Sequence, residues 1–349
     1  MVKKEKPHCA ARKQMAIVLL ALGVLSLAAC SGLQDMYVER VLKKTPTGEI
    51  IRDLSVIRVI LCGTGSPQVN AKSDQPCTLV AAGGKVFLFD AGENAMRAIQ
   101  RGAVPLSSIS NVFITHWHSD HFAGLDGVIN NSWLNGRKVP LTVYGPEGVD
   151  EIVKGISAAY RLDVRYRTAH FVQNPELAFA HTHTVRVPDR AESVVVYRED
   201  GITIEACLVD HRPVEPALGY IFTYRGKKIF ISGDTLITED YFKAMQNADL
   251  VVHEAVNRRL IQRASAIMRR LGMAAEADHA ERILEYHADT LELGAFAQRA
   301  GVKHLVLTHL IPEPSGWLAR IFFLQGMSDV YRGRLTIGRD GMMIDVPVD

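Results

Sequence analysis

The sequence predicts an α/β protein in which two β-sheets pack face to face with helices on the outside. Two batches of short β-rich runs, residues 56–144 and 193–232, each give way to helical segments. A third observation is a pair of isolated apolar runs, 249–253 and 304–308, which read as buried strands between helices.

Taken in order, residues 56–61, 78–82 and 86–90 read as strands separated by Gly- and Pro-containing turns. Residues 112–115 form a fourth, which runs directly into a histidine cluster, and 141–144 a fifth. Gly145-Pro146 then punctuates the chain, and 147–160 reads as a helix. The second batch is 193–197, 202–209, 219–224 and 228–232. Residues 291–300 form a helix with Asp289 as N-cap, Glu292 three residues on and Gly301 ending it.

With 349 residues and 48% hydrophobic content, the chain can bury a sizeable core. Forty Lys and Arg against 38 Asp and Glu leave +2, so no global field steers nucleic acid, and any preference for an anion must be local. No repeat or low-complexity tract stands out, which argues against solenoids and disordered scaffolds.

The first thirty residues read separately. Lys3, Lys4, Lys6, Arg12 and Lys13 precede an apolar run, 15–29, that ends Leu27-Ala28-Ala29-Cys30. As a helix the run spans only ~22 Å, less than a bilayer's hydrocarbon core. The tetrad resembles a bacterial lipobox, which implies lipidation of Cys30, a membrane tether and residence in the cell envelope, at the outer membrane or the periplasmic face, rather than in the cytoplasm. The domain reading is therefore a leader over 1–30, a polar tether over 31–54 and one catalytic domain over 55–349. Cys62, Cys77 and Cys207 remain, an odd number that makes no disulfide framework; the default reading is buried small hydrophobes.

The chemistry is concentrated in His116-Trp117-His118-Ser119-Asp120-His121, directly after a strand. Imidazole and carboxylate are first-choice zinc ligands. In an extended segment side chains i and i+2 share a face, so His116 and His118 can grip one ion while Asp120 and His121 address another.

This string resembles the signature of the metallo-β-lactamase superfamily, and further motifs follow in that family's order. Gly63-Thr64-Gly65-Ser66-Pro67 and Phe89-Asp90-Ala91-Gly92-Glu93 are similar to turns of its ribonuclease Z and arylsulfatase-like branch. Asp210-His211 with Leu218-Gly219-Tyr220, Ser232-Gly233-Asp234-Thr235, His253-Glu254-Ala255 and Leu307-Thr308-His309 resemble its later motifs.

The resemblance implies a four-layer αβ/βα sandwich carrying two zinc ions, with manganese or iron as alternatives. It places His116, His118 and His211 on one ion, Asp120, His121 and His309 on the other, and Asp234 between them. Such a centre activates a water against an ester, with Asp120 accepting its proton. His287, 22 residues before His309, matches the family's proton donor, or is a surface histidine opening a helix. Asp90, His253 and Glu254 are candidates for orienting the ligands; Asp90 alternatively completes a turn.

Two departures from ribonuclease Z stand out. That family carries a long arm that grips tRNA, whereas Tyr220 and Gly233 are only 13 positions apart, room for a hairpin. Leu310-Ile311-Pro312-Glu313-Pro314 also replaces its Ser-x-Arg-Tyr. Together with the leader, these lead to an expectation of a small anionic ester, phosphodiester or sulfate, rather than nucleic acid, as the substrate. The alternatives are a ribonuclease Z-like endoribonuclease, a lactone or thioester hydrolase, and a non-catalytic metal-binding lipoprotein. The sequence leaves the oligomeric state open, a homodimer among the options.

Arg161, Arg165, Arg167, Arg186 and Arg190, and then Arg258, Arg259, Arg263, Arg269 and Arg270, are either phosphate forks capping the site or solvated helix faces. His170, His181 and His183 read as loop histidines of the same cap.

Overall fold

The computed structural model describes residues 32–40, 48–68, 73–102, 104–170, 173–188 and 192–348. The apolar leader and Cys30 lie outside them, as does Arg190. The chain divides into two units, Met1–Pro46 and Thr47–Asp349. In the first, residues 32–40 form a helix, α1, with every residue exposed. Among the described residues no helix is long and apolar enough to cross a membrane.

Among its described residues the second unit holds fourteen strands. They are β1 (Val56–Gly63), β2 (Cys77–Ala82), β3 (Lys85–Phe89), β4 (Ile109–Phe113), β5 (Leu141–Gly145), β6 (Ala180–Thr184), β7 (Val194–Glu199), β8 (Ile202–His211), β9 (Val214–Tyr224), β10 (Lys227–Ile231), β11 (Leu250–Val256), β12 (His304–Ile311), β13 (Arg334–Ile337) and β14 (Met342–Pro347). Two seven-stranded sheets result, ordered β14-β1-β2-β3-β4-β5-β6 and β13-β12-β11-β10-β9-β8-β7. Each begins antiparallel and turns parallel, from β3 in the first sheet and from β10 in the second.

The helices are α2 (Glu49–Arg52), α3 (Ala95–Arg101), α4 (Ser119–Phe122), α5 (Leu125–Leu134), α6 (Val149–Thr168), α7 (Phe242–Met245), α8 (Arg258–Arg270), α9 (Ala274–Arg282), α10 (Thr290–Ala300), α11 (Trp317–Phe323) and α12 (Met327–Val330). The main helices cover the outer faces, which gives the expected four layers.

Layering explains the composition of the strands. On β1, Ile57, Val59 and Leu61 enter the core between the sheets, while Ile60 and Cys62 pack beneath the helices. A strand buried on both faces must be apolar throughout, which is why these runs read so clearly. Phe89 stacks on Phe113 at 5.1 Å, and Tyr220 of the opposite sheet meets Phe113 edge-on at 5.5 Å. The Tyr220 hydroxyl donates to the Ile114 carbonyl at 2.8 Å, pinning the two sheets beside the histidine cluster. Helix α10 is capped as expected: Asp289 accepts from the Leu291 and Glu292 amides, and Gly301 turns left-handed at φ +70°.

Three readings change. The tether does not reach residue 54, because Ile51 on α2 is buried in the core under the first sheet, Ile50 packs against the same core, and the compact unit starts at Thr47; a four-residue helix with two anchoring side chains is too short to show a helical period among polar neighbours. The fourth strand lies three residues earlier than expected, so that Ile114 and Thr115 leave it to deliver His116. His181 and His183 sit on β6, an edge strand, where they alternate with half-buried residues and face solvent rather than a cap. Cys62, Cys77 and Cys207 are free and buried, as the default reading expected, with burial pushing the Cys207 thiol up to about 12.

Candidate metal centre

The centre gathers at the strand ends. His116 and His118 follow β4, and Asp120 and His121 occupy α4. His211 ends β8 at the turn into β9. Asp234 follows β10 through Gly233, whose φ is +63°; a Cβ there would stand 2.8 Å from Thr115 Cβ and 2.9 Å from the Leu218 carbonyl oxygen, so only glycine fits.

His309 is delivered by a bulge. β11 pairs Glu254 with Thr308 and then Ala255 with Leu310, leaving His309 as the extra residue. Its φ of +45° is unusual for a side chain of that size. The bulge re-aims the ring out of the sheet and into the site.

Two sets of ligand atoms result. His118 Nδ1 lies 3.1 Å from His116 Nε2 and 3.2 Å from His211 Nε2, and Asp234 Oδ2 lies 3.9 and 3.8 Å from those two Nε2 atoms. In the other set, His309 Nε2 is 3.2 Å and His121 Nε2 3.6 Å from Asp120 Oδ2, and Asp234 Oδ2 is 3.4 and 3.3 Å from the same nitrogens. Tetrahedral zinc with ~2.0–2.2 Å bonds spaces its ligand atoms by roughly 3.3–3.5 Å. The second set, at 3.2–3.6 Å, lies close to that spacing, the first, at 3.1–3.9 Å, brackets it, and Asp234 belongs to both.

The polar accounting agrees. Buried His121 Nε2 and Asp234 Oδ1 make no hydrogen bond to the described protein groups, although both are costly to leave unsatisfied. Cations at the two positions fit this donor set. Burial holds the His116, His118 and His211 rings below their ordinary value, so they are neutral and ready to ligate. Burial opposes charge on His121 and His309 as well, but Asp234 and Asp120 outweigh it and push both rings up. Those are positions where a divalent ion replaces a proton.

The ligands are oriented from behind. Asp90 Oδ2 accepts from His121 Nδ1 at 2.7 Å, and Oδ1 accepts from the Thr115 amide at 2.8 Å. Thr115 Oγ1 is 2.9 Å from Asp90 Oδ2 and 3.1 Å from His116 Nδ1, linking two ligands to one carboxylate. His211 Nδ1 donates to the Tyr286 carbonyl at 2.9 Å. These bonds fix the tautomer that points each Nε2 at the site.

Glu254 plays the same part for His287. Its Oε1 accepts from His287 Nδ1 at 3.1 Å and from the Thr235 and Ala288 amides at 3.2 and 2.8 Å. His287 is buried at the site rather than on the surface, its ring 5.2 Å from that of His211 and 5.4 Å from that of His309. His253 is different: its Nδ1 donates to the Glu254 carbonyl and its Nε2 meets the Tyr241 hydroxyl, so it supports the strand and touches no ligand. The i, i+1 alternation of a strand sends His253 and Glu254 to opposite faces. Sequence reasoning missed Thr115 and the Tyr286 carbonyl, the first because one threonine carries no pattern, the second because a backbone oxygen has no sequence signal.

A cleft of about 270 Å³ opens over the ligands, with Ser66, Pro67, Tyr286 and His287 among its walls. No arginine lines it among the described residues. Arg269 instead pairs with Asp278 and Glu281, Arg167 with Asp163, and Arg259 donates to the Gln325 carbonyl. Among the described residues, the arginines of α6 and α8 lie on solvated helix faces, and Arg186 is exposed outside any helix.

Two seven-stranded sheets in a sandwich, with histidines and aspartates at their ends, define a metallo-β-lactamase-fold metal-dependent hydrolase acting on ester bonds. Human tRNase Z, short form, has the same fold, with a TM-score of 0.60 and 23% identity over 83% of this chain and all of its own. So does the metallo-β-lactamase fold protein YhfI from Bacillus subtilis, with a TM-score of 0.59 and 18% identity over 83% of this chain and all of its own. A ribonuclease Z from Mycolicibacterium paratuberculosis is 33% identical over 304 residues, 84% of this chain and 100% of the relative. Residues 57–306 match the family described as Anti-Pycsar protein Apyc1. The chain belongs to that family and to the ribonuclease Z branch of the metallo-β-lactamase superfamily.

These relatives correct the expectation of a small anionic ester rather than nucleic acid as the substrate. The structure does replace the arm by a hairpin, Tyr224 pairing with Lys227 around Arg225-Gly226. An arm adds contacts to a substrate held elsewhere on the surface, but it does not build the centre that cleaves the bond, so its absence does not define the substrate class. Compartment likewise limits which RNA is met, and not whether RNA is cut.

Proposed function

We propose that this protein is a ribonuclease Z-like phosphodiesterase that hydrolyses a phosphodiester bond in RNA at a centre of two zinc ions. The observation that carries the reading is the pair of ligand sets sharing Asp234, in a chain of which 84% aligns with the whole of a ribonuclease Z. Two ions, when bound, acidify a water and neutralise charge on the phosphate oxygens.

This chain's residues supply the rest. Asp120, held by His309 and α4, accepts a proton as water adds to phosphorus. The P–O bond to the leaving nucleotide breaks, and His287 delivers a proton to the departing oxygen. Glu254 keeps the proton on His287 Nδ1, which leaves Nε2 as the atom that hands over and recovers a proton. One product keeps the phosphate and the other leaves as an alcohol.

The test uses purified protein with its zinc content measured, incubated with a precursor tRNA bearing a 3′ extension. Cleavage that is lost with chelator and restored by zinc supports the reading. Zinc-loaded protein that leaves the RNA intact refutes it.

We also propose that Cys30 is lipidated and tethers the enzyme in the cell envelope, on the strength of Leu27-Ala28-Ala29-Cys30. Cys30→Ser is expected to accumulate as precursor in membrane fractionation, and unmodified wild-type protein in the cytosol would overturn the proposal.

A further inference from the structure

The cleft over the metal centre does not end at the ligands. It opens into a second, larger cavity of about 760 Å³ beneath α8 and α9, and the two share Ser66, Gln68, His279, Ile283 and Ile311 as walls. We propose that this cavity is a nucleobase pocket, which holds the base of a nucleotide adjoining the scissile phosphate. The inference rests on the phosphodiesterase reading of the adjacent centre and adds the element that grips the substrate beside the cleaved bond.

The chemistry of the lining selects a base over other occupants. Ile261, Ala264 and Met268 of α8, with Met273 and Ile283, make one apolar wall. Unbranched thioethers adapt to a flat ring and make favourable sulfur–aromatic contacts. No arginine or lysine lines the cavity among the described residues, and its apolar wall suits a flat ring. Glu276 in its lining repels phosphate and suits the exocyclic amino group of a base, while Glu313 accepts from the Ser73 hydroxyl at 2.6 Å. His279 stands at the junction of the two cavities, where an imidazole ring can lie along a base. The volume falls within the range of small-molecule sites, ~300–1,000 Å³.

Position makes the pocket a subsite of the catalytic centre. A group held against Ile283 and Ile311 is one cavity away from Asp120, Asp234 and His287. The walls come from the α8–α9 pair, which rests on a small apolar cluster of Val256, Ile261, Leu284 and Ile311, apart from the main cores. Wall residues carried by α8 and α9 themselves, such as Ala264 and Met268, lie outside both sheets and can vary without touching a strand, as befits a specificity element.

The experiment fills the pocket. Ala264 lies on the cavity wall and is half-buried, and Ala264→Trp places an indole in the space assigned to the base. Two readouts are taken on zinc-loaded protein: binding of adenosine, which has no phosphate, by saturation-transfer NMR, and hydrolysis of the dinucleotide ApA. Adenosine contact with wild type that disappears in Ala264→Trp supports the pocket. So does a KM for ApA raised about tenfold or more, the size of one lost base contact, with kcat and zinc content unchanged.

Should wild type hydrolyse no phosphodiester, the functional reading fails, and adenosine binding alone then decides the pocket. Adenosine that ignores wild type, or binds Ala264→Trp equally well, overturns the proposal. If Ala264→Trp does not fold, Met268→Trp fills the same wall and carries the same readouts.

Discussion

Replacing Asp90 by Asn changes neither the size nor the shape of the side chain, and so isolates its charge and acceptor count. Beside the Thr115 hydroxyl at 2.9 Å, the carboxylate accepts two buried N–H donors, one on each oxygen: His121 Nδ1 at 2.7 Å and the Thr115 amide at 2.8 Å. An amide has one oxygen. Whichever donor keeps that oxygen, the other faces an NH₂ and is left unsatisfied. Losing one charge-assisted bond costs about 1.5–3 kcal/mol, and the stranded donor adds to it, so roughly 2–4 kcal/mol of stability should go in the metal-free protein. Metal binding suffers separately, because the Asp90 carboxylate makes the His121 ring a better ligand. Loss of such an orienting group costs ~10–100-fold in affinity.

The measurement is zinc competition against a chromophoric chelator, paired with urea unfolding in excess chelator. One zinc should weaken by that factor, and the zinc held by His116, His118 and His211 should weaken less, since Thr115 reaches His116 only through its hydroxyl. Unchanged affinity at both sites would show that the Asp90 contact does not tune the centre, and the argument built on it would fall.

Other outcomes follow from the same geometry. Gly92→Ala would set a Cβ 2.2 Å from the Asp120 carbonyl oxygen and 2.6 Å from Gln75 Cβ, so the variant should melt earlier and hold about one zinc fewer by elemental analysis; full stoichiometry would contradict it. His287→Ala should lower kcat by ~10²–10⁴ with zinc content intact, and a variant that loses zinc instead would make this residue a ligand. Glu254→Gln should shift the pH profile of kcat by altering the proton partner of His287, and an unmoved profile would remove Glu254 from that role.

His304 offers a test of stability against pH. Burial lowers its ring from 6.5 to about 4. The unfolded chain therefore takes up the proton first, so the contribution is complete above about 6.5 and is lost as the pH falls toward 4. Discounted for partial contact with solvent, this is roughly 1–2 kcal/mol, and His304→Gln should lose correspondingly less stability between pH 7 and 4.5 in chelator. Equal losses in both proteins would refute it.

What the sequence determined by itself is what local spacing can encode. Strands buried on both faces must be apolar on both faces, so β1, β3, β11 and β12 announce themselves. His116, His118, Asp120 and His121 lie within six residues of one strand exit, and that clustering marks them as candidate metal ligands. Asp289 and Gly301 mark a helix by caps that act within a turn.

Other features were decided only by the tertiary structure. His309 reaches the centre because β12 bulges against β11, a register between residues far apart in sequence. The duty of Asp90 depends on Thr115 and His121 folding back onto it, and the tautomer of His211 on a carbonyl 75 residues away. The arginine runs could be read as a phosphate clamp or as solvated faces until α8 and α9 were seen to pair Arg269 with their own acids. The apolar cavity beneath those helices is not a run of residues at all. It is a space between elements, and no local period describes a space.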